Sequence, residues 1–154
     1  MKKLTVKLAV ILSILLLVSI AFGCVVPTPE TVTFPDENLE KAIKDALGKP
    51  AGEVIIPEEL AGLMELSANK KDITDLSGIE YCTNLVLLSL EGNQVSDISP
   101  LSSLSNLKYL SLGSNQISDI SSLASLSNLV SLRFRINQVS DISPLASLTK
   151  LEFL

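Results

Sequence analysis

The chain has 154 residues, no His, no Trp and two Cys, and 47% of its residues are hydrophobic. Without His it lacks the commonest general base and metal ligand, which excludes the usual Ser–His and Cys–His nucleophile pairs. With 12 basic and 17 acidic residues the formal net charge is −5, so the chain lacks the basic surface that binds nucleic acid. We therefore expect no catalysis, no cofactor, no metal site and no nucleic-acid partner; an enzyme that uses carboxylates alone is the remaining catalytic alternative.

The N-terminus has the layout of a secretory signal. Three lysines precede an apolar run over residues 8–22, which is shorter than the roughly 20 residues that span a bilayer. Residues 20–24 resemble the lipobox of bacterial-type lipoproteins, in which cleavage leaves a lipidated Cys at the mature N-terminus. The resemblance implies a signal peptide over residues 1–23 and lipidation of Cys24. A plain secretory signal with an incidental Cys and an uncleaved anchor are the alternatives.

Residues 24–31 contain two Pro among small and polar residues, a composition typical of an extended tether. Acyl chains on Cys24 would hold the protein at a membrane surface. We therefore expect a secreted protein that is anchored by lipid to the outer face of the cell membrane, with the tether between the lipid and the folded part.

The pattern of residues 34–48 predicts an amphipathic helix. Its apolar residues recur at helical spacing, an Asp-Glu pair suits its N-terminus, and Gly48 suits its C-terminus. Such a helix can cover the apolar end of a repeat array, so residues 32–58 are predicted to form an N-terminal helical cap. Residues 54–56 are expected to add a short strand to this cap.

From Leu85 onward the chain repeats with a 22-residue period. The units share the pattern Leu-x-x-Leu-x-Leu-x-x-Asn, with Phe at the last apolar position of one unit. A constant period of this length indicates a solenoid, and we assign residues 59–154 to about four to five units, the last of them incomplete. The recurring Asn residues of these units are Asn93, Asn115 and Asn137.

An earlier, degenerate unit precedes these. It reads Ala61-x-x-Met64-x-Leu66-x-x-Asn69, which places Met64 and Leu66 inward and adds Asn69 to the Asn column. The step from Asn69 to Asn93 covers 24 positions rather than 22, and we attribute the difference to a longer turn. First repeats are commonly atypical.

Each unit divides into a strand and a return segment. The x-Leu-x-Leu-x part predicts a short strand with its Leu side chains inward, and the Asn amide can bond backbone groups of its own and the next turn. The return segment has apolar residues every three positions, which predicts a 3₁₀ helix or turns. This leucine-rich repeat pattern predicts an α/β solenoid, a curved right-handed coil with short parallel strands on its concave face and 3₁₀ or turn segments on its convex face, preceded by the helical cap.

Two segments carry a more specific resemblance. Asn-Gln-Ile-Ser-Asp-Ile at residues 115–120 and Thr-Asp-Leu-Ser-Gly-Ile-Glu at residues 74–80, with the cap and the 22-residue period, resemble the internalin-like leucine-rich repeat proteins of bacterial and archaeal surfaces. The resemblance covers residues 32–154 and implies a curved solenoid that binds proteins on its concave sheet. Characterised invasion proteins of this kind have more repeats and further domains or a wall-sorting signal, which argues against a role in host invasion.

The outward positions of the predicted strands form three columns. The first contains Leu63, Leu87, Tyr109, Ser131 and Phe153, the second Glu65, Ser89, Ser111 and Arg133, and the third Ser67, Glu91, Gly113 and Arg135. An apolar and aromatic row thus lies beside a gradient from acidic to basic side chains, and Tyr and Arg are enriched in protein-binding hot spots. We hypothesise that this concave face binds a protein. The alternative is an ordinary sheet surface with scattered apolar residues.

Other side chains are assigned structural roles. Asp75, Asp97, Asp119 and Asp141 recur at one point of successive units, where capping of turns is the expected role. Calcium takes six to eight oxygen ligands, and no clustered Asp-x-Asp loop is present. Cys82 is expected to be a small buried hydrophobe.

A second function is a carbohydrate- or envelope-polymer-binding structural protein, suggested by the Ser-rich outer side and weakened by an aromatic content of 4%. At the C-terminus, Leu148, Leu151 and Leu154 occupy core positions without a polar cap. The sequence therefore predicts either a truncated repeat array or a second chain, such as another copy of this one, that covers this end.

Overall fold

The computed structural model of the protein describes residues 30–154. The predicted signal peptide, Cys24 and nearly all of the predicted tether lie outside the described residues. Two helices come first, and four short strands then alternate with four 3₁₀ helices. The bounds are α1 Glu37–Leu47, α2 Pro57–Ala61, β1 Glu65–Ser67, β2 Leu87–Ser89, β3 Tyr109–Ser111 and β4 Ser131–Arg133, with 3₁₀ helices at Ile79–Tyr81, Ser99–Ser103, Ser121–Ser125 and Ser143–Ser147. Among these residues no helix is long and apolar enough to cross a bilayer.

The predicted amphipathic helix is confirmed as α1. Asp36 caps its N-terminus, because Oδ1 accepts hydrogen bonds from the backbone N–H groups of Asn38 (2.9 Å) and Leu39 (3.0 Å). Gly48 ends the helix with a left-handed φ of 67°, a conformation that costs glycine little. The apolar stripe, which includes Leu39 and Ile43, is buried in the core.

The other carboxylate oxygen of Asp36 joins this helix to the first unit. Asp36 Oδ2 accepts hydrogen bonds from Thr74 N (2.7 Å), Thr74 Oγ1 (2.9 Å) and Asp75 N (3.2 Å), and the side chain is buried. Burial acts to raise the pKa of Asp36, but the hydrogen bonds from Thr74, Leu39 and Asp75 outweigh it and hold the pKa below its ordinary value of 3.8. The cap is therefore bonded to the repeats through an ionised carboxylate.

The strand expected at residues 54–56 is reduced to a single antiparallel bridge between Val32 and Ile55. Pro57 begins α2 immediately afterwards, and a proline at the first helical position favours a helix rather than a longer strand. The Glu59 carboxylate accepts a hydrogen bond from Ile56 N at 3.1 Å and pairs with Lys49 Nζ at 2.6 Å. The turn before the repeats is thus stabilised by the hydrogen bond at the start of α2 and by the ion pair between Lys49 and Glu59.

The four strands form one parallel sheet in the order β1-β2-β3-β4. Each pair is in register at a 22-residue period, so that Leu66, Leu88, Leu110 and Leu132 stack behind one another in the core. Apolar residues of the 3₁₀ helices close the other side of this core, as predicted. Cys82 is fully buried there, which confirms its expected role, and burial with the nearby charge of Glu80 raises the pKa of its thiol to about 12.

Asn93, Asn115 and Asn137 form the predicted ladder. The amide oxygen of Asn115 accepts a hydrogen bond from Val95 N at 3.0 Å, and its Nδ2 donates to the carbonyl oxygens of Leu90 and Leu112 at 2.9 and 3.0 Å. Asn93 and Asn137 make the corresponding bonds one unit earlier and one unit later. Each Asn therefore forms hydrogen bonds with backbone groups of the preceding unit. Such groups are costly to leave without a hydrogen bond in the core.

A second Asn ladder was missed by the sequence analysis. Asn84, Asn106 and Asn128 donate from Nδ2 to the carbonyl oxygens of Ala61 (2.8 Å), Thr83 (3.0 Å) and Ser105 (2.9 Å). These residues also lie 22 positions apart, directly before the Leu that opens each unit. The period of these Asn residues is visible in the sequence, but it does not by itself show which groups their side chains bond.

The last described unit exposes more apolar surface than the others. Ile136, Ile142, Phe153 and Leu154 are 57–73% exposed, whereas Leu148 is buried. Of the three C-terminal Leu residues assigned to core positions, Leu148 is buried, Leu151 is partly buried against the core, and Leu154 is exposed, so the assignment of Leu154 was wrong.

Candidate functional site on the strand face

The solvent side of the sheet is the surface predicted to bind a partner, and its register differs from the predicted one in the first unit. Glu65 pairs with Leu87 and Ser67 with Ser89, so β1 precedes β2 by 22 positions rather than 24. Leu63 occupies the position of Leu85 and is buried. Its assignment to the exposed face was wrong, as was the inward assignment of Met64, which is 59% exposed.

The error came from aligning Asn69 with Asn93. The ladder position of the first unit is occupied by Lys71, whose backbone N–H donates to Asn93 Oδ1 at 2.9 Å. Asn69 is therefore not a member of the ladder. It lies beside Glu91, where its Oδ1 accepts hydrogen bonds from Glu91 N (2.8 Å) and Ser89 Oγ (2.7 Å). Ala68 takes the inward position that Leu90 has in the next unit.

With this register the solvent side of the sheet, which we call the strand face, consists of three columns. The first is Glu65, Leu87, Tyr109, Ser131 and Phe153, the second Ser67, Ser89, Ser111 and Arg133, and the third Asn69, Glu91, Gly113 and Arg135. The structure brings together all the predicted face residues except Leu63. A small change of register in the first unit thus moves Glu65 into line with the apolar residues.

A shallow cavity of about 240 Å³ lies in the middle of the strand face. Leu87, Tyr109 and Arg133 stand around it, and the short side chains of Ser89 and Ser111 leave the space between them. Tyr109 is 47% exposed. The volume is below the roughly 300–1,000 Å³ of typical small-molecule sites, so the cavity suits one side chain of a larger partner.

Two of the charged residues on this face neutralise each other. Arg135 Nη2 lies 2.9 Å from Glu91 Oε1, and the pair spans Gly113, which separates the two residues in their column. A Cβ atom at Gly113 would be in ordinary van der Waals contact with Arg135 Cγ (3.4 Å) and Glu91 Cγ (3.6 Å), so the two side chains pass directly over this residue. Arg135 is largely exposed, and pairs of this kind contribute about 0–1 kcal/mol to stability.

Arg133 and Glu65 differ from that pair. Within residues 30–154 the ion pairs involve Lys44, Lys49 and Arg135, and neither Arg133 nor Glu65 takes part in one. Both side chains are exposed, at opposite ends of the sheet. The strand face therefore presents one unpaired anion and one unpaired cation with the apolar row between them.

The recurring Asp residues have the turn-capping role that was predicted. Asp97, Asp119 and Asp141 each accept a hydrogen bond at 2.8 Å from the backbone N–H of the Ser two positions later. These bonds hold the pKa of Asp119 and Asp141 below the ordinary value. In the part of the chain that the structure describes, no group of three or more Cys, Asp or Glu residues is arranged to hold a metal ion.

Parallel strands at a 22-residue period, an inward Leu stack and the Asn ladder define this protein as a leucine-rich repeat solenoid. The family described as Leucine Rich repeats (2 copies) matches residues 83–125 and 105–147. In sequence and fold the chain is similar to listerial internalins.

Three relatives illustrate this similarity. Internalin C of Listeria monocytogenes is 35% identical over 60 residues, which are 38% of this chain and 20% of that protein. A solved internalin (inlF) of the same organism has 42% identity and a TM-score of 0.77 over 82% of this chain and 38% of that one. A leucine-rich repeat protein of Leptospira interrogans has 29% identity and a TM-score of 0.55 over 64% and 27%. The chain thus spans well under half of these relatives.

Proposed function

We propose that this protein binds another protein through its strand face and has no catalytic activity of its own. The observation that carries the proposal is the row formed by Leu87, Tyr109 and Phe153, which lies beside the central cavity and Arg133. Aromatic and Arg side chains with open space around them are the usual anchors of protein interfaces.

Two segments in the middle of the opposite side lack these features. The segments over residues 99–106 and 121–128 contain Ser, Leu, Ala, Asn and one Pro, with no charged or aromatic residue. Their Ser hydroxyls are used within the scaffold, as where Ser125 Oγ donates to the carbonyl oxygen of Ser102 at 2.8 Å. The contrast favours the strand face as the binding surface, and the similarity to internalins agrees with a binding protein.

The experiment is photo-crosslinking in intact cells with benzoylphenylalanine at position 109. This substitution keeps an aromatic side chain on the strand face, and the same residue at the exposed Ser118 on the other side is the matched control. We expect a discrete adduct from position 109, identified as protein by mass spectrometry, and none from position 118. A glycosidase-sensitive adduct would favour the envelope-polymer function, and identical products from both positions would contradict binding through the strand face.

We further propose that the protein is secreted and held on the outer face of the cell membrane by lipid on Cys24. The support is the lipobox-like segment at residues 20–24 after a short apolar run. Labelling cells with a radioactive fatty acid tests this proposal. Label on the wild-type chain and none on the Cys24→Ser variant are expected, and a labelled variant would contradict lipidation at this residue.

We also propose that the protein self-associates through its last unit. The exposed side chains of Ile136, Ile142 and Leu154 give a second copy an apolar surface to cover. Sedimentation of the full chain in detergent over a range of concentrations tests it. A concentration-dependent dimer is expected, and a monomer throughout would contradict self-association.

A further inference from the structure

The two unpaired charges of the strand face define the chemistry of its partner in more detail than the proposed function does. Arg133 lies on β4 and Glu65 on β1, and within the described residues neither has an ionic partner. The nearby Glu91 and Arg135 bond to each other and so present little net charge to a partner. The unpaired charges of the face are therefore one cation and one anion at opposite ends of the sheet.

The separation of these two charges sets a length. Residues on β1 and β4 are three strand spacings apart, and neighbouring strands lie about 4.8 Å apart, which gives about 14 Å across the strands. Arg133 also lies one column away from Glu65, which is two residues of about 3.3 Å along the strand, so the two residues are about 16 Å apart. An extended segment advances about 3.3 Å per residue and therefore needs about five residues to reach from Arg133 to Glu65.

The surface between the two charges is apolar and indented. Leu87 on β2 and Tyr109 on β3 lie in the same column as Glu65, and the central cavity opens beside them toward Arg133. A cavity of about 240 Å³ takes one aliphatic or aromatic side chain. A polyanion such as a nucleic acid would meet Glu65 and Glu91 on this face, whereas a segment with charges of both signs meets only complementary groups.

We infer that the partner presents an extended segment with a carboxylate against Arg133, a basic side chain against Glu65 about five residues away, and an apolar side chain between them in the central cavity. The guanidinium of Arg133 suits this role because it bonds a carboxylate through two parallel N–H donors. The inference rests on the proposed function, and it adds the chemistry and spacing of the recognised segment.

The test is a selection from a displayed library of random 12-residue peptides on the immobilised full chain in detergent. The wild type is compared with Arg133→Glu and with Lys108→Glu, a matched control whose exposed side chain lies outside the three columns. We expect the wild-type pool to be enriched in peptides with Asp or Glu about four to six positions from Lys or Arg and an apolar residue between. Arg133→Glu should reverse the charge at the acidic position, and Lys108→Glu should leave the pool unchanged.

A charge-swap measurement gives the second readout. One enriched peptide and its copy with Lys at the acidic position are titrated by fluorescence anisotropy against the wild type and Arg133→Glu. We expect the original peptide to lose about tenfold in affinity for the variant, and the swapped peptide to recover it. Circular dichroism melting of all variants checks that the fold is kept.

The outcomes separate the two proposals. If no peptide is enriched over blank matrix, the inference falls, while crosslinking from position 109 still decides whether the strand face binds a protein. If peptides are enriched but their acidic content is the same for the wild type and Arg133→Glu, the inference is overturned and binding by the strand face stands. Recovery by the swapped peptide supports the inference.

Discussion

At the junction between α1 and the first unit, backbone N–H groups of a turn are bonded by a carboxylate, whereas inside the array neighbouring groups are bonded by neutral amides. Asp36 accepts five hydrogen bonds there, two from its own helix and three from Thr74 and Asp75. Inside the array, the uncharged amide groups of Asn115 and the other ladder residues accept the corresponding hydrogen bonds. Although both regions satisfy the same kind of backbone group, only the junction depends on an ionised side chain, so we expect acid to weaken the junction and not the ladder.

The largest effect is expected at the interior ladder. Asn115→Ala removes the acceptor of Val95 N and the donor to Leu90 O and Leu112 O, all of them buried. Unsatisfied buried groups cost about 1–3 kcal/mol each, so we expect a loss of about 3 kcal/mol, measured by urea unfolding. Asn128→Ala, in the second ladder at the surface, is the control and should cost about 1 kcal/mol. Equal losses for the two variants would contradict the assigned role of the buried ladder.

The next effect is expected at the junction. Asp36→Asn keeps an oxygen that can cap α1, but its NH₂ group cannot accept the bonds from Thr74. We expect a loss of about 2 kcal/mol at pH 7, because charge-assisted bonds to backbone N–H groups are lost while the cap is retained. Asp97→Asn, in an exposed turn of the array, is the control and should cost less than about 1 kcal/mol.

The pH dependence sharpens the same contrast. Because the pKa of Asp36 is lower in the folded chain than its ordinary value of 3.8, the unfolded chain binds more protons in this range. The contribution of Asp36 is therefore complete above about pH 5, declines as the pH falls through 3.8, and is lost below the folded-state pKa. The stability difference between the wild type and Asp36→Asn should shrink over this window. The stability difference between the wild type and Asn115→Ala should not change with pH. If both stability differences shrank in parallel, the proposed contrast between the carboxylate junction and the amide ladder would be contradicted.

The smallest effect concerns the turn that follows the third column. Lys70, Gly92, Ser114 and Ile136 recur at the 22-residue period and all have a left-handed φ, which is 57° for Ile136. A β-branched residue is strained in that conformation. Ile136→Gly should therefore stabilise the protein by about 1 kcal/mol, whereas Gly92→Ala, at a φ of 74°, should destabilise it by about as much. A destabilised Ile136→Gly variant would mean that packing of this side chain outweighs the strain.

The units from Leu85 onward were predicted from the sequence because their Leu and Asn residues recur without insertion. The first unit was predicted too, but its register was wrong, since Asn69 resembles a ladder residue and Lys71 does not. The sequence does indicate the correct register, because the apolar residues Leu66 and Ile73 lie 22 positions before Leu88 and Val95. A single Asn was given more weight than several apolar positions, although burial of the apolar side chains decides the register.

The candidate site shows the same limit. The residues of the strand face were predicted from strand alternation, except that Asn69 was assigned to the Asn ladder and the buried Leu63 was assigned to the face. The ion pair between Glu91 and Arg135 was not predictable, because it depends on the conformations of two side chains that lie 44 positions apart in sequence, with Gly113 between them. The second role of Asp36 was hidden for a related reason, since Thr74 lies 38 positions away in sequence.

The pair between Glu91 and Arg135 has a consequence for how such a chain can change length. The Asn ladders bond each unit only to its neighbour, so a 22-residue unit can be duplicated or deleted in frame and the scaffold bonds form again. The pair instead spans three consecutive units, with Gly113 in the middle one. Recombination that inserts or removes a unit there preserves the fold but frees both charges. The scaffold is interchangeable, whereas the order of these three units is specific to the binding surface.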